Sequence, residues 1–249
     1  MNVLETKERQ DIHNSDVPLI CKSCEARHKG ICGALSAEQL TYLSRHTTKS
    51  VVEKEHELFA YGNDIENYSN ILSGVVKLTK LMADGRQQIV GLQFAPDFLG
   101  RPFKRQSDLS AEAATNVRVC SFPKSVLEEI IRQVPEMEHR LYEQTLKELD
   151  EAREWMLTLG RKTASEKVAS FLYMIAENID PEMENARESV RFELPLKRAD
   201  IADFLGLTIE TVSRQLTKLR KAGIIEIENN RTVIIPHLHM LRNACETEG

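Results

Sequence analysis

The stretch "LKRADIADFLGLTIETVSRQLTKLRKAGIIEIENNRTVIIP", residues 196–236, decides the fold of the C-terminal part of the chain. Its apolar spacing predicts a helix over about 197–205 that buries Ile201 and Leu205, with Ala202 small enough for a second helix to cross closely. "GLT" follows, where Gly206 can take positive φ and Thr208 is placed to cap the next helix. That helix, about 209–222, buries Val212, Leu216 and Leu219, and Gly223 stops it. "IIEIENNRTVII" then reads as a hairpin turning at Asn229-Asn230, residues that accept the left-handed conformation of a two-residue turn. Helix, short turn, helix and β-wing in that order make a winged helix-turn-helix.

The second helix presents Glu210, Ser213, Arg214 and Gln215 near its N-terminal end, the end that enters a major groove. Arginine reads guanine bidentately, glutamate accepts from cytosine N4, and serine adapts to several base edges. Lys218, Arg220 and Lys221 lie further along, where neutralising phosphates is the natural role. The bland alternative is a solvated amphipathic helix. Against it stand the wing and a local charge reversal: six Lys or Arg face three Asp or Glu over 197–221, inside a chain of net charge −5.

Upstream, residues 135–159 form a long helical segment with no glycine before Gly160. Val134, Leu141, Thr145, Ala152, Trp155 and Leu159 recur near a heptad seam, with the charged Glu148 on it. The expected partner is a second copy, which makes Leu141, Glu148, Ala152, Trp155 and Leu159 the expected dimerisation residues. Two facing Glu148 carboxylates would keep that pair marginal; alternatively Glu148 flanks the seam and faces water. From about 49 to 121 the texture is short β-type runs punctuated by glycine turns, as in a β-roll. Ser36 with Gln39, and Thr163 with Glu166, have capping-box spacing. Val168, Phe171, Leu172 and Ile175 mark a core face after the second box.

The expected fold is therefore α+β. A polar leader (1–20) precedes a β-roll sensor domain with a cysteine loop (21–132). A dimerisation helix (133–160), a winged helix-turn-helix (161–240) and a tail (241–249) complete it. No run approaches eighteen apolar residues, and the N-terminus has no apolar signal core, so the expected location is cytoplasmic and off the membrane. There is no G-x-S-x-G, no H-E-x-x-H and no phosphate-binding glycine loop, so an enzyme is not expected.

"CKSCEARHKGIC" places Cys21, Cys24 and Cys32 within twelve residues. In a reducing compartment such a cluster points to metal or redox chemistry rather than to disulfides. Zinc and an iron–sulfur cluster both take four thiolates, and spacing does not separate them. Cys120 in "VRVCSF" is the candidate fourth ligand; His28 reads as a solvated loop residue and Cys245 as a bystander.

The whole layout over about 20–240 resembles the CRP/FNR superfamily of bacterial transcription regulators, and most closely its FNR-type anaerobic members. "DIADFLGLTIETVSRQL" resembles their DNA-reading helix pair, and Glu210, Ser213 and Arg214 match the E-x-x-S-R motif that reads TTGAT half-sites in an inverted repeat. Thr208 and Lys218 join them as expected DNA contacts. The resemblance implies an oxygen-labile [4Fe-4S] cluster held by Cys21, Cys24, Cys32 and Cys120, one per subunit. It also implies cluster-dependent homodimerisation on double-stranded DNA, and contact with RNA polymerase through a surface near the 82–86 turn. Seven residues rather than the usual five separate Cys24 from Cys32, a change that loop-closure entropy tolerates. Cyclic AMP is not expected. The family's nucleotide binders carry G-E-L and R-S-A elements where this chain has Asp97-Phe98-Leu99 and Leu109-Ser110-Ala111, and Arg101, Lys104 and Arg105 read as surface-loop residues.

Overall fold

In this structure, a computed structural model, residues 17–246 are described except 23, 83 and 180–188. Most of the expected leader, most of the connector before residue 190, Ala83 of the 82–86 turn and the end of the tail lie outside the described residues.

The chain opens on short helical turns: α1 (Leu19–Lys22), α2 (Glu25–His28), a 3₁₀ turn (Ile31–Ala34) and α3 (Ala37–Ser44). The Ser36 capping box starts α3 as its spacing requires, with Ser36 Oγ accepting from Gln39 N and the Gln39 side chain accepting from Ser36 N. The roll follows: β1 (Thr48–Val52), β2 (Glu57–Phe59), β3 (Asn67–Ser73), β4 (Val75–Leu81), β5 (Gln87–Phe94), β6 (Phe98–Leu99), β7 (Ser110–Ala113) and β8 (Val117–Pro123). These strands make two four-stranded sheets of order β1-β8-β3-β6 and β2-β7-β4-β5, with antiparallel pairing throughout. Ile71, Val76, Leu99, Ala111, Ala113, Val117 and Val119 close the space between them. Gly74 turns β3 into β4 at φ +93, and a Cβ there would lie 2.5 Å from Asn116 O, so only glycine fits.

After the roll come α4 (Lys124–Gln133) and the long α5 (Pro135–Arg161), with Pro135 at the first helical position, where its missing N–H costs nothing. The C-terminal unit holds α6 (Ala164–Asn178), β9 (Val190–Glu193), α7 (Arg198–Leu205), α8 (Ile209–Lys221), β10 (Glu226–Glu228), β11 (Thr232–Ile235) and α9 (Leu238–Asn243). Its wing sheet has the order β10-β11-β9. Phe171, Leu172, Ile201, Leu205, Val212, Leu216 and Leu219 form one core, as their spacing requires. That core continues past residue 240. Leu241 and Cys245, one helical turn apart, are buried in it, so this part of the expected tail is packed structure.

The roll and the reading domain touch. Val75, Ile89 and Phe94 share the C-terminal core, and Lys77 bridges Glu112 of its own sheet (2.9 Å) to Asp200 of α7 (3.5 Å). Gln88 Nε2 donates to Asp203 O at 2.7 Å.

Helix α5 departs from expectation in the direction that Leu141 and Trp155 face. Leu141 packs against the core beneath the cysteine loop, and the Trp155 ring sits 4.6 Å from that of Phe204. Glu148 and Ala152 line a cavity of about 1220 Å³ whose walls include Leu78, Asp97 and Arg101. Leu159 remains exposed. Of the expected seam, Leu141 and Trp155 are therefore turned towards their own chain, while Thr145, Glu148, Ala152 and Leu159 stay exposed. Beside it runs a second exposed apolar stripe, Tyr142, Leu146, Leu149 and Met156, exposed by 61%, 42%, 44% and 73%. The helix carries two apolar stripes offset by about one residue, and the chain covers the first only at Leu141 and Trp155. Among the described residues, no helix is long and apolar enough to cross a membrane.

Candidate nucleic-acid interface and cysteine cradle

The reading helix is assembled from local signals. Gly206 takes the left-handed conformation (φ +61) and ends α7; Thr208 Oγ1 then accepts from Thr211 N at 3.2 Å and starts α8. Val212, Leu216 and Leu219 are buried, so the helical period leaves Glu210, Ser213, Arg214 and Lys218 exposed along the other side. Hydrogen bonds from its own backbone N–H, then from the Thr208 hydroxyl, hold the Glu210 carboxyl below its ordinary range. It is therefore an acceptor at neutral pH. Lys218, Arg220 and Lys221 occupy the last turn, where the helix dipole favours cations. The wing turns at Asn229 (φ 50) and Asn230 (φ 58), with Arg231 N donating to Glu228 O at 3.1 Å. Arg198 Nη2 reaches Asn230 O at 3.4 Å and ties α7 to the wing tip.

The cysteines are brought together from four places. Cys21 lies in α1, Cys24 immediately before α2, and Cys32 in the 3₁₀ turn. Cys120 lies in the middle of β8, not at its end. Cys32 is buried in a cluster with Ile31, Tyr68, Phe98, Phe122 and Met137. Gly33 allows this approach, since a Cβ there would lie 2.7 Å from Arg27 O and 3.3 Å from Arg140 Cζ of α5.

Three of the thiols feel at least one other, and Cys24 acts on all three. Burial pushes the Cys32 thiol far up, helped by Cys24 and Cys120. Burial and then Cys24 push Cys120 up to about 12, while Lys49 pulls it down. Burial and Cys24 raise Cys21, against the charges of Lys49 and Arg27. Cys21, Cys32 and Cys120 resist ionisation in this partly buried place until a thiophilic cation compensates them. That chemistry fits zinc or an iron–sulfur group. As they stand, no group of three or more His, Cys, Asp or Glu among the described residues forms a metal-holding set.

Lys49, Asn70 and Arg27 escaped the sequence reading. Asn70 is 1% exposed, and its Nδ2 donates to Cys32 Sγ at 3.2 Å; Lys49 Nζ donates to Ile20 O at 2.8 Å. The available signal was parity. Asn70 alternates with the buried Tyr68 on β3, so a polar side chain faces inward. His28, expected to be solvated, instead has its Nε2 buried without a hydrogen-bond partner. Cys245 Sγ donates to Leu241 O at 3.3 Å, far in sequence from the cradle.

The cavity between roll and α5 has an acidic wall. Burial raises the carboxyls of Asp97 and Glu148, and Glu151 acts on both. Leu109 stands on this wall, and Arg101 on it is exposed and lies 3.7 Å from Asp108. Lys147, Lys162 and Arg242 line other parts of the same cavity, so the carboxyls disfavour an anionic ligand only beside Asp97 and Glu148.

Residues 49–134 match the Cyclic nucleotide-binding domain family, and residues 166–244 match the Crp-like helix-turn-helix domain family. A "Probable transcriptional activator" of Rhizobium leguminosarum bv. viciae is 56% identical, over 94% of this chain and 96% of its own. "Transcriptional activator protein FnrL" of Cereibacter sphaeroides is 38% identical, over 88% and 90%. The structure of FixK2 from Bradyrhizobium japonicum superposes with a TM-score of 0.71 at 31% identity, over 82% of this chain and 99% of that one. Roll, long helix and winged helix-turn-helix, together with these relatives, place the chain in the CRP/FNR superfamily of DNA-binding transcription regulators.

Proposed function

We propose that this regulator is a redox-responsive transcriptional activator. In this reading Cys21, Cys24, Cys32 and Cys120 hold a [4Fe-4S] cluster, and the chain binds palindromic TTGAT-type DNA as a homodimer. The observation that carries it is the position of the cradle. Cys32 and Ile31 share one buried cluster with Met137, and Leu141 packs against it, so ordering the cysteine loop changes the support under the first turns of α5. When bound, the cluster supplies an oxygen-labile group whose loss removes that support.

The dimer surface is then the exposed stripe Tyr142, Leu146, Leu149 and Met156, which continues through Arg153 with alternating spacings of four and three. Glu210, Ser213 and Arg214 read base edges, while Thr208 and Lys218 contact the backbone. Leu81 and Met82, exposed at the β4–β5 turn, form the surface offered to RNA polymerase. The acidic cavity wall and Leu109 argue against cyclic AMP.

A second reading places zinc on the same sulfurs, with the signal arising elsewhere; it draws on the donor set, which zinc shares. Anaerobic purification separates the two. Near four iron and four sulfide per chain, with a visible band that bleaches in air together with the gel shift on a TTGAT palindrome, supports the first. Zinc with an air-indifferent gel shift overturns it.

A further inference from the structure

We infer that Asn70 and Lys49 are positioning residues of the cysteine cradle, Asn70 by donating to the Cys32 sulfur and Lys49 by tying the Cys21 segment to the strand beside Cys120. The inference deepens the cluster reading and rests on it for the identity of the bound group.

The two residues flank Cys120 in register. On one side of β8, Lys49 of β1 is its Cα partner; on the other, Asn70 of β3 is. From these positions each reaches the N-terminal loop. Asn70 Nδ2 donates to Cys32 Sγ across 38 residues of sequence, and Lys49 Nζ donates to the carbonyl next to Cys21 across 29. One row across the sheet therefore touches three of the four sulfur-bearing segments.

The Asn70 amide is a poor choice for folding alone. It is 1% exposed, its hydrogen bond in the structure goes to sulfur, and its Oδ1 is buried without a partner. A buried amide left half satisfied is destabilising, and an apolar residue of that size would serve the same core better. An N–H aimed at sulfur is useful where the sulfur carries negative charge, as a metal-bound thiolate does. Lys49 is exposed along its strand, yet its charge acts on both Cys21 and Cys120. Four thiolates need cationic and N–H partners whichever metal they hold.

The test compares the parent chain with Asn70→Leu, Asn70→Asp, Lys49→Met and Lys49→Arg, each loaded anaerobically with ferrous iron and sulfide. Asn70→Leu is expected to take up iron but to lose its visible band in air several-fold faster, at a more negative reduction potential. The direction follows because an N–H bonded to sulfur favours the reduced, more negative state. Asn70→Asp, which sets a carboxylate against the thiolates, should load about tenfold less iron or worse. Lys49→Met should weaken loading several-fold and Lys49→Arg restore it; this exposed position keeps the test open if the Asn70 variants misfold. Unchanged potential and air lifetime in Asn70→Leu, with only the melting midpoint of the metal-free chain altered, would reduce Asn70 to a structural role and overturn the inference. So would a Lys49→Met chain that loads like the parent. If the parent takes up no iron, the cluster reading falls separately. Cobalt(II) added to the metal-free chain then reads the same sulfurs through its thiolate absorption, with about tenfold weaker binding expected in Asn70→Leu. Equal cobalt binding, or no thiolate absorption in the parent, also sinks the cradle.

Discussion

The reading helix and the cysteine cradle are both recognised by short motifs, yet they are built in opposite ways. The winged helix-turn-helix takes its cap, turn, stop and wing from one contiguous segment, Arg198 to Ile235. The cradle takes three sulfurs from one loop and the fourth from β8, with supporting groups from β1 and β3. The first forms wherever its local pattern is satisfied. The second forms only once the roll is folded and its loop is docked. A site of the first kind suits a constant function, and one of the second kind suits a conditional one.

The sharpest way to break that separation is through the reader. Arg214→Ala removes an exposed side chain with no role in the core, and each lost base contact costs about 1–3 kcal/mol. Over two half-sites, affinity for a TTGAT palindrome in gel shift should fall by roughly a hundredfold or more. Iron per chain should stay at the parent level; a fall would mean that reader and cradle are not independent. Next in size is Cys120→Ser. It should abolish stable iron loading and weaken anaerobic DNA binding by about tenfold or more, to the level of the metal-free chain, while leaving far-UV circular dichroism unchanged. Full DNA binding by this variant would sever cradle from reader altogether.

What could be read in the sequence follows the same division. Gly206, Thr208, Gly223 and the Asn229-Asn230 turn each carry their conformation in their own chemistry, so the winged motif was legible residue by residue. The capping boxes at Ser36 and Thr163 were equally legible. The phase of α5 was not. Leu141, Glu148 and Trp155 follow one heptad register and Tyr142, Leu149 and Met156 the next, and only the three-dimensional position of the roll and of Phe204 decides that the chain itself covers Leu141 and Trp155. Asn70 and Lys49 were missed for a related reason. A polar residue on a strand reads as a surface position until its cross-strand neighbours are known, and Cys120 lies 50 or more residues from either.

The stripe left open on α5 gives a smaller test. Arg153 interrupts the run from Tyr142 to Met156 and is held 3.1 Å from Asp150. Replacing it with leucine extends the apolar seam and removes a charge that a helix pair would have to desolvate. The metal-free chain should then dimerise about tenfold more tightly in sedimentation equilibrium and bind DNA in air. An unchanged dissociation constant would show that copies meet elsewhere.

The smallest effect concerns Glu148, and its sign depends on which way the side chain faces. On an outward seam, neutralising it would strengthen the dimer. Facing the cavity, it sits where burial raises its pKa, against a hydrogen bond from Gln144 and with Asp97 and Glu151 adding repulsion. The folded chain therefore favours the protonated carboxyl. Its contribution to stability is complete below the unfolded value near 4.5 and declines as pH rises through the raised folded value, so at pH 7 the ionised group is a cost. Glu148 is nevertheless exposed to solvent, and screening limits that cost to at most about 1 kcal/mol. Glu148→Gln should accordingly raise the melting midpoint at pH 7 by a few degrees or less and leave it unchanged at pH 4, with monomeric and dimeric chain affected alike. A gain that appears only at concentrations where the chain dimerises would return Glu148 to the seam between copies. A gain in dilute monomer places its carboxyl where the structure does, between the roll and its own helix.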